Sequence, residues 1–110
     1  MAFKAGFVVM APDGNPRVHR ASIKTSTLEL TTVAVELMNY DQAVTVCRNL
    51  VQNEAVRSLI LCQGFPHEAV ARIANEVGGG VAINVARGDV PSTMITSDIL
   101  KEEGWFPTEP

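Results

Sequence analysis

A short run at residues 57–62, RSLILC, constrains the fold of this chain more than any other segment. Its centre is apolar at consecutive positions, as in strands buried on both faces of a parallel sheet. Gly64 closes it, and Pro66 suits the first position of a helix, where a missing N–H costs nothing. Helical stripes flank the run on both sides. Before it, Ala43, Val46, Cys47 and Leu50 recur at i, i+3, i+4 and i+7, behind Asn39 or Asp41 as the cap. After it, Val70, Ile73, Ala74 and Val77 repeat the stripe, with Glu68, Arg72 and Glu76 as a charge ladder on the other face. Gly78, Gly79 and Gly80 stop that second helix. A buried strand between two helices implies consecutive βαβ units, with parallel strands joined by right-handed crossovers.

The flanking segments complete the order. Residues 3–11, FKAGFVVMA, read as strand one, and Pro12 to Pro16 as a dense turn. Residues 17–27 are a polar excursion, residues 28–37 are strand two and residues 81–86 are strand four. The expected fold is α/β, in the order β-β-α-β-α-β. It is a mostly parallel four-stranded sheet with two helices on one face. Strand one is either antiparallel to strand two or inserted parallel beside it. Residues 1–92 form the domain and residues 93–110 a C-terminal tail. In the tail, Asp98 caps a short helix over 99–103 and Gly104 ends it. Two helices leave the second face of such a sheet open. The tail, through Met94, Ile95, Ile99, Leu100, Trp105 and Phe106, and a second copy of the chain are both expected to cover it, as a homo-oligomer.

Composition removes several function classes. The length of 110 residues suits one domain, and 46% hydrophobic against 19% charged residues gives a folded chain. Twelve acidic and nine basic residues leave a net charge of −3, and the excess lies in Asp98, Glu102, Glu103 and Glu109. With no basic run and 5% aromatic residues, nucleic acid is not expected as a partner. The apolar start is broken by Pro12, too short to span a bilayer and unlike a signal peptide, so no membrane partner is expected. Cys47 and Cys62 lie in apolar segments and read as reduced thiols of a cytoplasmic protein. No CxxC, HxxxH or GxxxxGK[ST] motif occurs, so neither a cofactor nor a metal is expected. His19, His67 and a carboxylate have no supporting ligand spacing.

In parallel sheets, ligands bind beyond the carboxyl ends of the strands. Three loops meet that rim: Met38 to Asp41, Cys62 to Glu68, and Arg87 to Pro91. The second runs through Gly64 and Phe65 into a helix start, where free N–H groups favour an anion. His67 lies in that first turn, where the positive helix end favours a neutral imidazole able to move a proton. The plainer reading is a solvated His67–Glu68 turn. Arg87 suits a carboxylate or phosphate, or else pairs with Asp89 to order its loop. His19 and Arg20, with Arg17, join the rim only if strand one is parallel; otherwise they belong to a solvated loop. Cys62 has the placement of a nucleophile with His67 as base, but the base rate of buried cysteines favours a small core residue. Cys47 is assigned no chemistry.

Several of these motifs together resemble a known family. They are His19-Arg20, Tyr40, Gly64-Phe65 with His67-Glu68, Val70 to Ala74, Val77-Gly78-Gly79, and Val85 with Arg87 and Asp89. In that order they resemble a family of small bacterial α/β proteins classed only as a domain of unknown function. The resemblance spans most of residues 3–90 and implies no activity, substrate or cofactor. It implies Gly at position 66, where Pro66 stiffens the loop, and offers no counterpart to the tail after Pro91.

Three functions fit. The first is a binding or regulatory module holding a small anionic metabolite through the helix start at Pro66–Glu68 and Arg87. The second is an isomerase, lyase or hydrolase, with His67 as acid–base, Arg87 as anchor and Cys62 or Asp89 as auxiliary. The third is a structural oligomer subunit whose Trp105 and Phe106 anchor a partner.

Overall fold

The computed structural model describes residues 1–106. Its elements are β1 (Phe3–Ala11), β2 (Arg20–Lys24), β3 (Leu28–Glu36), α1 (Tyr40–Glu54), β4 (Ser58–Leu61), α2 (His67–Val77), β5 (Ala82–Val85) and α3 (Val90–Glu102). They form a five-stranded sheet in the order β2-β3-β1-β4-β5. β3, β1, β4 and β5 are parallel, and β2 is an antiparallel edge. The mostly parallel α/β class is as read from the sequence. Strand one takes the second of its two expected places, parallel and at the centre.

Two expectations need correction. The sheet has five strands rather than four, because β2 lies in the polar excursion. All five of its residues are exposed, so it carries no burial pattern. Pairing with β3 alone makes it a strand. The tail helix has 13 residues rather than five and starts at Val90, behind Asp89, with Pro91 in its first turn. No α3 residue is buried. Gly104, at φ 76°, follows its end. Residues 107–110, Glu109 of the acidic tail among them, lie outside the described residues.

The two crossover helices lie on one face, as expected. Asn39 caps α1 by accepting from the Gln42 N–H at 3.1 Å. Ala43, Val44, Cys47 and Leu50 are its buried residues. In α2 the buried line is Ala69 and Ile73, one position away from the expected Val70 stripe. Phe65, fully buried, extends that line one turn back. These side chains meet Val8, Met10, Val33, Val35, Leu59 and Leu61 of the sheet in one core. Arg72–Asp41 at 2.6 Å and Arg48–Glu76 at 2.7 Å tie the two helices together outside it.

Alternate strand residues point the other way. Phe3, Phe7 and Val9 of β1, Leu30 and Ala34 of β3 and Ile60 of β4 are only partly buried or exposed. Neither α1 nor α2 covers them.

Candidate functional site

Four parallel strands deliver their carboxyl ends to one rim. The loops there are knitted by main-chain bonds. Leu37 N–H and Gly14 N–H both donate to the Ala11 carbonyl, at 2.9 and 3.0 Å. Gly14 lies so close to the Val35 carbonyl that a Cβ there would collide with it. Cys62 N–H donates to Val8 at 3.1 Å, and Ala86 N–H to Leu61 at 2.8 Å.

A cavity of about 380 Å3 opens at this rim. That lies within the range of small-molecule sites. Met10, Leu37, Tyr40, Cys62 and Gly64 form its floor. Thr93, Thr96, Ser97 and Leu100 of α3 form a wall, and Trp105 and Phe106 close the end. Met38 and Gln63 complete the lining, which among the described residues carries no charged side chain. Polar atoms come from the Tyr40 and Ser/Thr hydroxyls, the Gln63 amide and the Cys62 thiol. Met38 holds a left-handed backbone, φ 64°, at the rim. For a residue with a Cβ this is strained, a feature that clusters at binding sites.

The structure divides the sequence-predicted residues. Cys62 and Gly64 are on the cavity floor, and a Cβ at Gly64 would make ordinary contacts with Met10 and Cys62 sulfur at 3.5 and 3.6 Å. Phe65 instead fills the core beneath. His67 is exposed at the start of α2, outside the lining. Arg87 reaches back to the same loop, its Nη1 donating to the Phe65 carbonyl at 3.3 Å. It thereby clips the β5–α3 connection to the β4–α2 loop, and its partner is that carbonyl rather than Asp89. Asp89 is exposed at the start of α3 and makes no side-chain capping bond.

His19 and Arg20 lie at the far edge, beside β3. His19 Nδ1 accepts from the Asn15 N–H at 2.9 Å and so organises the loop after β1. Arg20 holds Glu54 with both guanidinium ends, at 2.6 and 3.2 Å. That hydrogen bond raises the Arg20 pKa, against a smaller desolvation effect. With Arg17 it lines a separate groove of about 570 Å3 along α1. The predicted residues therefore form three groups rather than one pocket.

Of the two free thiols, Cys47 is fully buried and burial pushes it up to about 12. Cys62 is the thiol that meets the cavity. Among the described residues no three His, Cys, Asp or Glu side chains cluster as metal ligands. Nor is any helix there long and apolar enough to cross a membrane.

The α3 wall was missed in the sequence, yet a signal for it exists. Thr93, Thr96, Ser97 and Leu100 fall at i, i+3, i+4 and i+7. The stripe is helical but mostly hydroxylated, and a search for apolar periods passes over it. Trp105 and Phe106, expected as anchors for a partner, line the end of the cavity.

Residues 3–99 match the Family of unknown function (DUF6506). The match takes in most of α3, farther than the resemblance over residues 3–90 reaches. No curated protein and no solved structure matches the chain.

Proposed function

Since the chain belongs to this family of unknown function, its role has to be argued from the cavity, and we propose that it is a small-molecule binding module. The observation that carries the reading is the uncharged cavity at the strand ends, floored by β1 and β4 and walled by α3. Its ligand is a compact, mostly apolar molecule with a hydroxyl or carbonyl group. Such a group can pair with Tyr40, Gln63, Thr93 or Ser97. An anion, the ligand first expected, would find no cationic side chain on this lining. His67 and Arg87 lie outside it, so acid–base catalysis has less support than binding. The reading includes self-association and a cytoplasmic setting.

The test is a thermal-shift screen of two panels. One holds indole, phenols and medium-chain alcohols; the other holds sugar phosphates, nucleotides and small carboxylates. A ligand at a hundred times its dissociation constant stabilises by about 2.7 kcal/mol, a shift of roughly ten degrees for a domain of this size. The expected hits come from the uncharged panel. They disappear in Ser97→Trp, which fills the cavity, and they slow alkylation of Cys62. Hits confined to the phosphates, and lost in Arg87→Ala, would overturn this ligand class and restore the anion site.

A further inference from the structure

The groove of about 570 Å3 along α1 lies apart from the cavity, and among the described residues the two share no lining side chain. One wall is a flank of α1; the other is the loop after β1 with the start of β2. Buried Val33 and Leu50 lie at its bottom. The walls are polar, and their hydrogen bonds separate the atoms already spent from those left over.

Three amides line the α1 side: Asn39, Gln42 and Asn49. Each has given its oxygen to the protein. Asn39 Oδ1 accepts from the Gln42 backbone N–H at 3.1 Å, and Gln42 Oε1 from the Glu36 backbone N–H at 2.7 Å. A backbone N–H only donates, so both amide orientations are fixed. Asn49 Oδ1 accepts from Asn53 Nδ2 at 3.2 Å. What Gln42 and Asn49 still offer is their N–H groups.

The charges divide in the same way. Two acids line the groove, and each is already held. Arg20 takes both oxygens of Glu54, and Arg72 takes Asp41 Oδ1 at 2.6 Å. That leaves Arg17. Its backbone is fixed, because its N–H donates to Asn15 Oδ1 at 3.0 Å, and the Val18 and His19 N–H groups donate to the Asn15 carbonyl at 3.0 and 2.8 Å. Among the described residues its guanidinium has no ion-pair partner. A planar guanidinium beside unspent amide N–H groups matches a carboxylate. The carboxylates of Asp41 and Glu54 on the same walls oppose a second negative charge. Acceptors remain as well. The Thr45 hydroxyl donates to the Asp41 carbonyl at 3.1 Å and keeps its lone pairs, and Asp41 keeps its second oxygen. Both suit hydroxyl groups.

We propose that this groove is a second binding site, for a small hydroxylated carboxylate of the sugar-acid class. Arg17 anchors the carboxylate, Gln42 and Asn49 donate to it, and Thr45 and Asp41 accept from the hydroxyls. The site stands apart from the cavity, and either can fail alone.

Titration of the full, nitrogen-15-labelled chain with gluconate and glucuronate tests it, read on the side-chain amide signals of Gln42 and Asn49. Both acids are expected to shift these signals to saturation with a Kd of about 1 mM or below. Glucose, which lacks the charge, and glucose 6-phosphate, which carries two, are expected to bind about tenfold more weakly or worse. Arg17→Ala is expected to lose about tenfold or more in affinity, with its fold intact because the side chain is exposed. Gln42→Glu keeps an acceptor for the Glu36 N–H but turns the donor into a negative charge. It is expected to abolish binding, read on Asn49, while circular dichroism shows the fold retained. Ser97→Trp, in the other cavity, is expected to bind as the wild type does. Signals that neither acid moves at about 10 mM, well above a millimolar Kd, overturn the proposal. So does a folded Arg17→Ala or Gln42→Glu that binds as tightly as the wild type, or glucose or its phosphate binding as tightly as the acids.

Discussion

Within β4, three consecutive residues separate the two faces of the sheet. Leu59 and Leu61 point under α1 and α2 and are fully buried, while Ile60 between them points to the bare side. The side chains are almost equal in size and chemistry. What differs is the covering layer, so burial here is a property of topology rather than of residue type. Both crossover helices fall on one side because each right-handed step, β3 to β4 and β4 to β5, moves the same way across the sheet.

The largest effect expected follows from that contrast. Leu61→Ala should destabilise by about 2–5 kcal/mol, the range for a large aliphatic side chain removed from a closed core. Ile60→Ala should cost only about 1 kcal/mol in dilute protein, since it loses part of the transfer energy and leaves no closed void. Urea unfolding of both variants measures this. Equal losses at low concentration would mean that the protomer itself covers the second face. If a second copy covers it, the Ile60→Ala loss should grow with protein concentration.

A pH experiment sharpens the same contrast. Cys47 sits in the covered core, where burial pushes its thiol from 9.0 to about 12. Below pH 9 the thiol is protonated in both folded and unfolded chains, and its ionisation contributes nothing. Above that, the unfolded chain releases the proton and the folded chain retains it. Folding then weakens by up to about 1.4 kcal/mol per pH unit until the folded value is reached. Cys47→Ala lacks this penalty. The stability gap between wild type and variant should therefore narrow steadily as pH rises through 9–11. A gap that stays constant would show that the thiol ionises as freely inside as outside.

The covered side was largely legible in the sequence, because its residues obey a period. Ala43, Cys47 and Leu50 repeat as a helix, and RSLILC stands out as a doubly apolar strand. The rest follows other rules. β2 is a strand by hydrogen bonding to β3 alone, and RASIK, exposed at all five positions, has no burial pattern to find. The direction of β1 depends on where a distant chain segment inserts, which local residues do not encode. α3 has no apolar stripe to find because three of the four side chains it turns to the cavity, Thr93, Thr96 and Ser97, carry hydroxyls. Of the site, the rim itself and Cys62 and Gly64 were legible. His67, Arg87 and Arg20 were read as groups that reach a ligand, whereas the latter two reach protein carbonyl or carboxylate oxygens. An Arg at a strand end looks the same in sequence whether it clips a loop or binds a substrate.

The covered side also thins toward its edge, and the smallest effect expected lies there. Between α1 and α2 the helices share a core. At β2, what links the strand to α1 is the two-pronged Arg20–Glu54 pair, with both side chains over a third exposed. In that setting solvent screens the charges, and even good geometry yields about 0.5–1 kcal/mol of coupling. A double-mutant cycle of Arg20→Ala and Glu54→Ala isolates it. The coupling should shrink by half or more in 1 M salt, where screening acts within a few ångströms. Arg20→Lys should recover little, since an ammonium cannot bridge both carboxylate oxygens from a fixed plane. A salt-independent coupling well above 1 kcal/mol would mean that this edge is as closed as the core. It would then place the boundary between covered and bare regions beyond β2 rather than along it.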